Sequence, residues 1–372
     1  MTKVIERKRL KFQEGYTYLG RNMIMDEHPE HIHKSLLEYF KKEDLHPYPD
    51  MWKPYEKLSN YLNVSEEKLL ITRGVEGAFK QVFETLVDKG DSVGILTPTC
   101  AMYHVYAEVY GIDVIEIKGE EPDYKITVEQ IKEVVPNIKV LFLDNPKLHL
   151  SSHFTHEELD IIIKYCREHE VVVFLDEVYV GWGIDSYLPH LDEYDNLIIS
   201  SSFSKIGFPS IKTGWLVANK KLKKKLESNR GAYELDYFSC KSLEFIIDNQ
   251  DYIKDLKKRT LDTKKRWYDD FSKGLQGLNE YFLYGAPGRP KFVKHSYSTS
   301  GDQKESRSKK ILAEISHARM MLALSDTHLY CYLLEILHRL LVYRMWWESI
   351  NYSAQKEDVQ VDTESAALLV HH

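Results

Sequence analysis

The chain has 372 residues, of which 43% are hydrophobic and 29% charged, the composition of an ordinary globular protein. Its formal net charge of −7 provides no basic field for nucleic acid, and no run of 18 apolar residues predicts a membrane span. The four cysteines are far apart in the sequence, so we expect reduced thiols in a cytoplasmic protein, with neither a disulfide framework nor a metal site.

Short apolar runs alternate with amphipathic stretches from about residue 66 to residue 218. Helical spacing of apolar residues predicts helices at 76–87, 102–110, 127–135 and 155–169, the last beginning with a Thr-x-x-Glu capping box. Strands are predicted at 69–72, 92–96, 114–117, 139–143, 171–175 and 197–200. The run VVVFL at 171–175 is typical of a strand buried on both faces. This alternation predicts an α/β fold with a mostly parallel sheet flanked by helices.

The pattern changes after residue 218. Residues 219–275 are rich in lysine and helical in spacing, which indicates solvated helix faces. From about residue 285 the chain is first polar and loop-like and then apolar and helical, and this part is atypical. We expect a large domain at 45–230 and a smaller α+β domain built from 1–44 and 231–372.

Chemically useful side chains follow each predicted strand. Asp176 and Tyr179 follow VVVFL, Asn145 follows KVLFL, and Lys205 follows a serine-rich run after the strand at 197–200. A glycine-bounded helix start, Arg73-Gly74-Val75-Glu76-Gly77, follows the first strand. Because ligands bind at the carboxyl ends of parallel strands, we expect these groups to share one site.

This set of groups suits pyridoxal phosphate. A lysine amine forms a Schiff base with the aldehyde, and a carboxylate pairs with the ring nitrogen. A helix N-terminus with nearby hydroxyls and a cation can hold the phosphate.

The motifs ITRGVEGAF, TPTCAMYHVYAEVYG, FLDEVYVGWG and SSSFSKIGFPSIKTGW resemble those of the class I/II aminotransferases, and most of all the histidinol-phosphate aminotransferase branch. The resemblance covers roughly residues 20–270, with HPYPD at 46–50 as a weaker match. It implies fold type I, pyridoxal 5'-phosphate as cofactor, a small amino acid or amino-phosphate as donor and a 2-oxo acid as acceptor.

The resemblance also implies a role for individual residues. Lys205 is the Schiff-base lysine, Asp176 pairs with the ring nitrogen, and Tyr179 contacts the ring hydroxyl. Tyr103 stacks on the ring, and Asn145 contacts the ring oxygen if the loop is shorter than the family's. The phosphate is held by side chains or backbone amides of five residues, namely Ser202, Ser204, Lys212, Val75 and Glu76.

Tyr48 is expected, by the same resemblance, to reach the phosphate of a neighbouring subunit, which implies a homodimer with shared active sites. Since the chain contains 25 tyrosines, ordinary packing is an alternative interpretation for both Tyr48 and Tyr103. Cys100 and Trp182 lie near the expected site and are interpreted as packing residues.

The sequence departs from the family pattern at three places. Lys212 stands where the family usually has arginine, and Leu148 occupies the place of the asparagine that contacts the ring oxygen. The arginine that grips the substrate carboxylate has no recognisable counterpart after residue 285, although several arginines occur there: Arg289, Arg307, Arg319, Arg339 and Arg344.

These departures leave alternatives open. One is a remodelled C-terminal domain, and another is a tail altered by a frame change. A decarboxylase or lyase with the same cofactor, or a non-catalytic relative, remains an alternative to the aminotransferase.

Overall fold

A computed structural model describes residues 24, 27–119, 125–147, 153–182, 184–263 and 265–266 of the chain. The predicted domain boundaries remain a prediction, because most of residues 231–372 lie outside this part. No helix among the described residues is long and apolar enough to cross a membrane.

The described part is built around one seven-stranded sheet with the strand order β1-β7-β6-β5-β4-β2-β3. The strands β1 to β7 are, in chain order, Leu69–Thr72, Ser92–Thr97, Asp113–Lys118, Val140–Asp144, Val172–Asp176, Leu197–Ser202 and Gly214–Ala218. The pairs β2–β3, β2–β4, β4–β5 and β5–β6 are parallel, whereas β7 runs antiparallel to both β1 and β6. The predicted mostly parallel sheet is confirmed, with β7 as an antiparallel member that the sequence pattern did not indicate.

Helices cover both faces of this sheet. The helices α1 to α8 are Glu30–Leu37, Trp52–Leu62, Gly74–Leu86, Met102–Tyr110, Val128–Val134, His156–Glu168, Lys220–Glu227 and Tyr237–Asp248. A ninth helix, α9, is described over residues 250–263. The predicted capping box at Thr155 begins α6. A second capping box, at Thr127, begins α5.

Alternate residues of each strand point into two separate cores. In β5, Phe174 packs into the core that contains α3, α4 and α7, whereas Val173 and Leu175 pack into the core that contains α5, α6 and α8. This period of two explains why the central strands read as continuous apolar runs. The same period of two determines on which face of the sheet the last side chain of each strand lies. Asp176 therefore lies on the same face as Phe174.

Candidate active site

Two carboxylates lie side by side where β4 and β5 end. Asp144 is paired in register with Asp176, and both are buried, with 5% and 7% of their surface exposed. They share a face because partners in a parallel pair point the same way. Both lie on the side of the sheet that carries α3 and α4.

The hydroxyl of Tyr103 donates a hydrogen bond of 2.7 Å to Oδ2 of Asp176. Tyr103 belongs to α4 and is only 1% exposed, and its ring lies between Phe79 and Phe142, with ring centroids 4.7 and 5.1 Å away. These contacts support the packing alternative for the ring. The stacking of Tyr103 on a cofactor ring stays a prediction.

The backbone N–H of Val178 donates to Oδ1 of Asp176 at 3.0 Å. Burial nevertheless raises the pKa of Asp176, and the hydrogen bonds from Tyr103 and Val178 and the charge of Lys205 offset this only in part. A buried carboxylate of this kind gains from a further positive partner. A protonated ring nitrogen would supply one, so this acid fits pyridoxal phosphate. Asp144, Asp176 and Tyr103 together form what we call the acid floor.

Lys205 lies in a short 3₁₀ turn, Phe203–Ile206, directly after β6. The side chain of Ser202 caps this turn by accepting a hydrogen bond from the N–H of Ser204 at 3.3 Å. Gly207 ends the turn with a φ of 99°, a left-handed conformation that favours glycine. The ammonium of Lys205 lies 5.7 Å from the ring centroid of Tyr179, so the turn directs Lys205 toward the segment that follows Asp176.

The N-terminus of α3 meets the same edge of the sheet. Gly214 begins β7 between the last residues of β1 and β6, Thr72 and Ser202. A Cβ atom at Gly214 would lie 2.7 Å from the Cα of Gly74, so the backbone of α3 approaches as closely as only glycine allows. The first N–H groups of α3, which include those of Val75 and Glu76, have no partner within the helix, and the side chain of the N-cap residue Arg73 does not cap them.

Lys212 faces this helix start. Its ammonium lies 3.1 Å from Oε2 of Glu76, and both side chains are partly exposed. Tyr106 donates to the other carboxylate oxygen of Glu76 at 3.2 Å. Lys212 has a φ of 49°, an unusual left-handed conformation for a residue with a side chain. A cation and a helix N-terminus thus meet at one place, but a carboxylate lies between them.

The predicted contact of Asn145 with a cofactor oxygen stays a prediction, and the structure shows its side chain bound to Phe154. Its Oδ1 accepts from the N–H of Phe154 at 2.8 Å, and its Nδ2 donates to the carbonyl of the same residue at 3.3 Å. With 3% of its surface exposed, the side chain ties the two ends of a loop together. These contacts give no support to the predicted contact between Asn145 and a cofactor oxygen.

Two residues that the sequence analysis does not assign to the site, Cys100 and Asp144, lie close to Asp176. The thiol of Cys100, interpreted as packing, lies close enough to Asp176, Asp144 and Lys205 for their charges to act on its pKa, which burial raises. Asp144 was not singled out. The near-identical runs VLFLD and VVFLD, each ending in aspartate, were the signal that could have identified it.

Glu177 is a second buried acid that follows Asp176. It accepts hydrogen bonds from the hydroxyl of Ser186 and, at 2.7 Å, from the N–H of Tyr187. Burial raises its pKa to about 7. These contacts tie Glu177 to the far end of the segment that carries Tyr179, so Glu177 helps to hold that segment in place.

Tyr48 lies at the surface, 77% exposed, and stacks on Tyr233 with ring centroids 4.6 Å apart. Its predicted contact with a neighbouring subunit stays a prediction. Leu148 and the five arginines named above lie outside the described residues.

Comparisons with known proteins show the family of the chain. The family model for aminotransferase class I and II matches residues 16–284. The histidinol-phosphate aminotransferase of Caldanaerobacter subterraneus is 26% identical over 280 residues, which are 74% of this chain and 76% of that protein. The enzyme of the same name from Methanocaldococcus jannaschii is 30% identical over 199 residues, 51% of this chain and 52% of that protein.

Solved structures share the fold. Histidinol-phosphate aminotransferase from Sinorhizobium meliloti, in complex with pyridoxal-5'-phosphate, is similar with a TM-score of 0.60 and 16% identity over 66% of this chain and 68% of that one. Aspartate aminotransferase from Thermus thermophilus with maleate is similar with a TM-score of 0.62 and 18% identity over 70% and 72% of the two chains.

Proposed function

The chain belongs to the class I and II aminotransferase family, and from this membership we propose which of its residues perform the amino-group transfer. It is a pyridoxal-phosphate-dependent aminotransferase of fold type I. One observation carries the proposal for the site: a buried carboxylate, Asp176, is held by two hydrogen bonds within the electrostatic reach of Lys205.

Asp176 would hold the ring nitrogen of the cofactor. When bound, pyridoxal phosphate supplies an aldehyde that condenses with amines and a ring that accepts an electron pair. The acid must be ionised and correctly oriented for this task. The Tyr103 hydroxyl and the Val178 N–H each bind one of its oxygens, which supports both requirements.

Lys205 would carry the proton. Its Nζ would hold the cofactor through the aldehyde, and the same Nζ, when it is not bonded to the cofactor, would take a proton from the substrate and return it. Its place on a capped turn over the ring of Tyr179 supports this role, because the turn limits the directions in which the amine can point.

The first turn of α3 together with Lys212 would hold the cofactor phosphate. We call this group the phosphate corner. Backbone N–H groups of Val75 and Glu76, with Ser202, Ser204 and Lys212, supply donors and a positive charge, as anion sites at helix N-termini do. Lysine contributes a single charge and lacks the two-pronged grip of arginine.

The substrates proposed are an amino donor and a 2-oxo acid acceptor, with a small amino acid or an amino-phosphate as donor. The names of the curated relatives favour an amino-phosphate. Cys166 and Cys240, which are buried free thiols, suit a protein of the reducing cytoplasm.

A homodimer with shared sites is also proposed. Tyr48 is exposed beside other exposed apolar side chains, among them Leu45 at 56% and Trp52 at 71%. Co-expression of Tyr48→Ala with Lys205→Ala tests the idea, because a shared site leaves one intact site in a mixed dimer. Recovery of activity in the mixture supports sharing, and two inactive partners that stay inactive together contradict it.

The first test of the site is the visible absorbance of the purified protein with added pyridoxal phosphate. We expect a band from lysine-bound cofactor in the wild type and in Lys224→Ala, an exposed lysine of α7. The band should be absent from Lys205→Ala, in which cofactor is held without the covalent bond. A band of full strength in Lys205→Ala would assign the Schiff base to another lysine.

The products distinguish transfer from the alternative chemistries. An aminotransferase leaves the cofactor as pyridoxamine phosphate and converts the donor into its carbonyl compound, whereas a decarboxylase releases carbon dioxide. We expect pyridoxamine phosphate to accumulate when a donor is added without an acceptor. Release of carbon dioxide would instead support the lyase alternative.

A further inference from the structure

A half-buried lysine on α9 has no acidic partner among the described residues. Burial lowers the pKa of Lys257, and no carboxylate of the described residues counteracts this effect. Other basic residues of the same helix are paired, Lys254 with Asp251 and Arg259 with Asp255. Lys257 is turned inward instead. An inward charge without a carboxylate partner is costly, so Lys257 would gain from an anion that a ligand brings.

The ammonium of Lys257 lies against the segment that follows Asp176 and Tyr179. It is 6.0 Å from the ring centroid of Trp182, and a Cβ atom at Gly181 would lie 2.7 Å from it. Gly181 has a φ of 85°, so its lack of a side chain serves both the backbone and the lysine. The same segment begins under Lys205, whose ammonium lies over Tyr179.

The helix also packs against the turn of Lys205. A Cβ atom at Gly207 would lie 2.8 Å from Cδ2 of Leu256, the residue before Lys257. Lys257 therefore adjoins the two segments that carry the reactive groups, the one after β5 and the one after β6.

Trp182 supplies a second unsatisfied donor at this place. Its indole Nε1 is buried and has no hydrogen-bond partner in the part of the chain that the structure describes. A cation–π contact between Lys257 and the ring face would explain the position of the ammonium, but it leaves this N–H without an acceptor. An anionic oxygen group beside the ammonium would pair with Lys257, and Trp182 offers a further N–H donor next to it.

We propose that Lys257 and Trp182 bind an anionic oxygen group of the amino donor, a carboxylate or a phosphate. The inference rests on the proposed function and gives the donor a defining feature, a negative charge that reaches α9. None of the five candidate arginines after residue 285 lies in the described part of the chain, whereas Lys257 brings a cation to the site from α9.

The test compares Lys257→Met with Lys258→Met. Methionine keeps the apolar contact with Trp182 and removes the charge, and Lys258 is an exposed lysine one residue further along the helix. Three donors separate the charges: L-histidinol phosphate carries only a phosphate, L-alanine only a carboxylate, and L-histidinol neither.

We expect Lys257→Met to raise KM for the anionic donor by roughly 10- to 100-fold, the loss typical of a hydrogen bond to a charged group, with little change in kcat. KM for L-histidinol should not change, and Lys257→Arg should keep most of the wild-type KM. The donor that is affected identifies phosphate or carboxylate as the bound group. Equal effects on all three donors would show a structural role and overturn the proposal.

A binding measurement makes the result independent of turnover. Inorganic phosphate and acetate are titrated into protein saturated with pyridoxal phosphate while Tm is followed, because a ligand that binds the native state raises Tm. We expect the rise in the wild type and Lys258→Met but not in Lys257→Met. No rise in the wild type overturns the anion site.

If the protein does not bind pyridoxal phosphate, the proposed function fails by itself. The titration is then made in a Lys212→Met background, which removes the cation of the phosphate corner. A rise in Tm that is lost on Lys257→Met would support the anion site. A rise that is unchanged by Lys257→Met would contradict it.

Discussion

The acid floor and the phosphate corner lie at the same edge of one sheet and are built in opposite ways. In the acid floor, Asp176 is buried and both its oxygens accept hydrogen bonds from buried or backbone donors. In the phosphate corner, Lys212 is more than half exposed and its partner Glu76 one third exposed. Buried charge-assisted hydrogen bonds are strong and specific, whereas exposed ion pairs contribute little.

The fold fixes the acid floor before any ligand binds, whereas the side chains of the phosphate corner can exchange partners. Asp176 has little freedom to move. Lys212 can exchange its ion pair with Glu76 for one with a phosphate, since its ammonium is exposed to solvent and the ion pair contributes little. Changes in the acid floor should therefore reduce catalysis strongly, and changes in the phosphate corner should adjust cofactor affinity by small factors.

The largest effect is expected for Asp176→Asn. Removing the charge that pairs with the ring nitrogen breaks a buried ion pair, which costs about 3–5 kcal/mol, or roughly 10²- to 10⁴-fold. Measurement of kcat/KM checks this, with Asp113→Asn at the exposed start of β3 as the control. A loss below tenfold would mean that Asp176 does not hold the ring nitrogen.

A smaller effect is expected for Tyr103→Phe, which keeps the enclosed ring and removes only the hydroxyl. A hydrogen bond to a charged group contributes about 1.5–3 kcal/mol, so kcat/KM should fall roughly 10- to 100-fold. Loss of a donor to the ionised acid raises the pKa of Asp176 further. The acidic limb of the pH–rate profile should then move to higher pH.

Tyr110→Phe is the matched control for this change. Tyr110 lies on the same helix and donates to Glu84 at 2.6 Å, away from the acid floor. An unchanged pH profile in Tyr103→Phe, or an equal shift in Tyr110→Phe, would contradict the role given to the Tyr103 hydroxyl.

Glu177→Gln tests whether the support behind the acid floor depends on pH. Since burial raises the pKa of Glu177 from 4.5 to about 7, the folded state holds a proton that the unfolded state releases in this window. The contribution of Glu177 to the free energy of unfolding therefore falls as pH rises from 4.5 to about 7, by at most ~1.4 kcal/mol per pH unit.

Urea denaturation of wild type and Glu177→Gln across that range checks the sign. The stability difference between the two proteins should shift in favour of the variant as pH rises. Glu168→Gln, an exposed position near the end of α6, should show no such trend. A wild-type advantage that grows with pH would reverse the assignment.

The smallest effect is expected in the phosphate corner. Glu76→Gln removes a carboxylate that competes with phosphate for Lys212, so pyridoxal phosphate should bind more tightly, by roughly two- to fivefold, as expected for an exposed pair. Fluorescence titration at low and high salt checks this, because salt should weaken the effect. The control is Glu67→Gln, which removes the carboxylate partner of Lys220, away from the phosphate corner. Weaker binding of pyridoxal phosphate to Glu76→Gln would instead show that Glu76 supports the phosphate corner.

Much of the fold could be predicted because its signals are local. Apolar runs such as VLFLD and VVFLD become buried strands, and Thr155 caps α6 through residues next to it in the chain. β7 was missed because Gly214–Ala218 is short and follows a turn-rich segment, and its place depends on pairing with β1 and β6. Pairing of this kind is decided by partners far along the chain.

The sequence by itself determined the family, six of the seven strands and the order of the reactive groups along the chain, because motifs and periodicity are properties of neighbouring residues. Only the tertiary structure decided what Tyr103, Asn145 and Lys257 contact. Their contacts are made with residues 9 to 75 positions away in the chain, which no local pattern records. The hydrogen bond from Tyr103 to the buried acid is an example, because it depends on the packing of the Tyr103 ring against Phe79 and Phe142 and on the place of α4 beside β5.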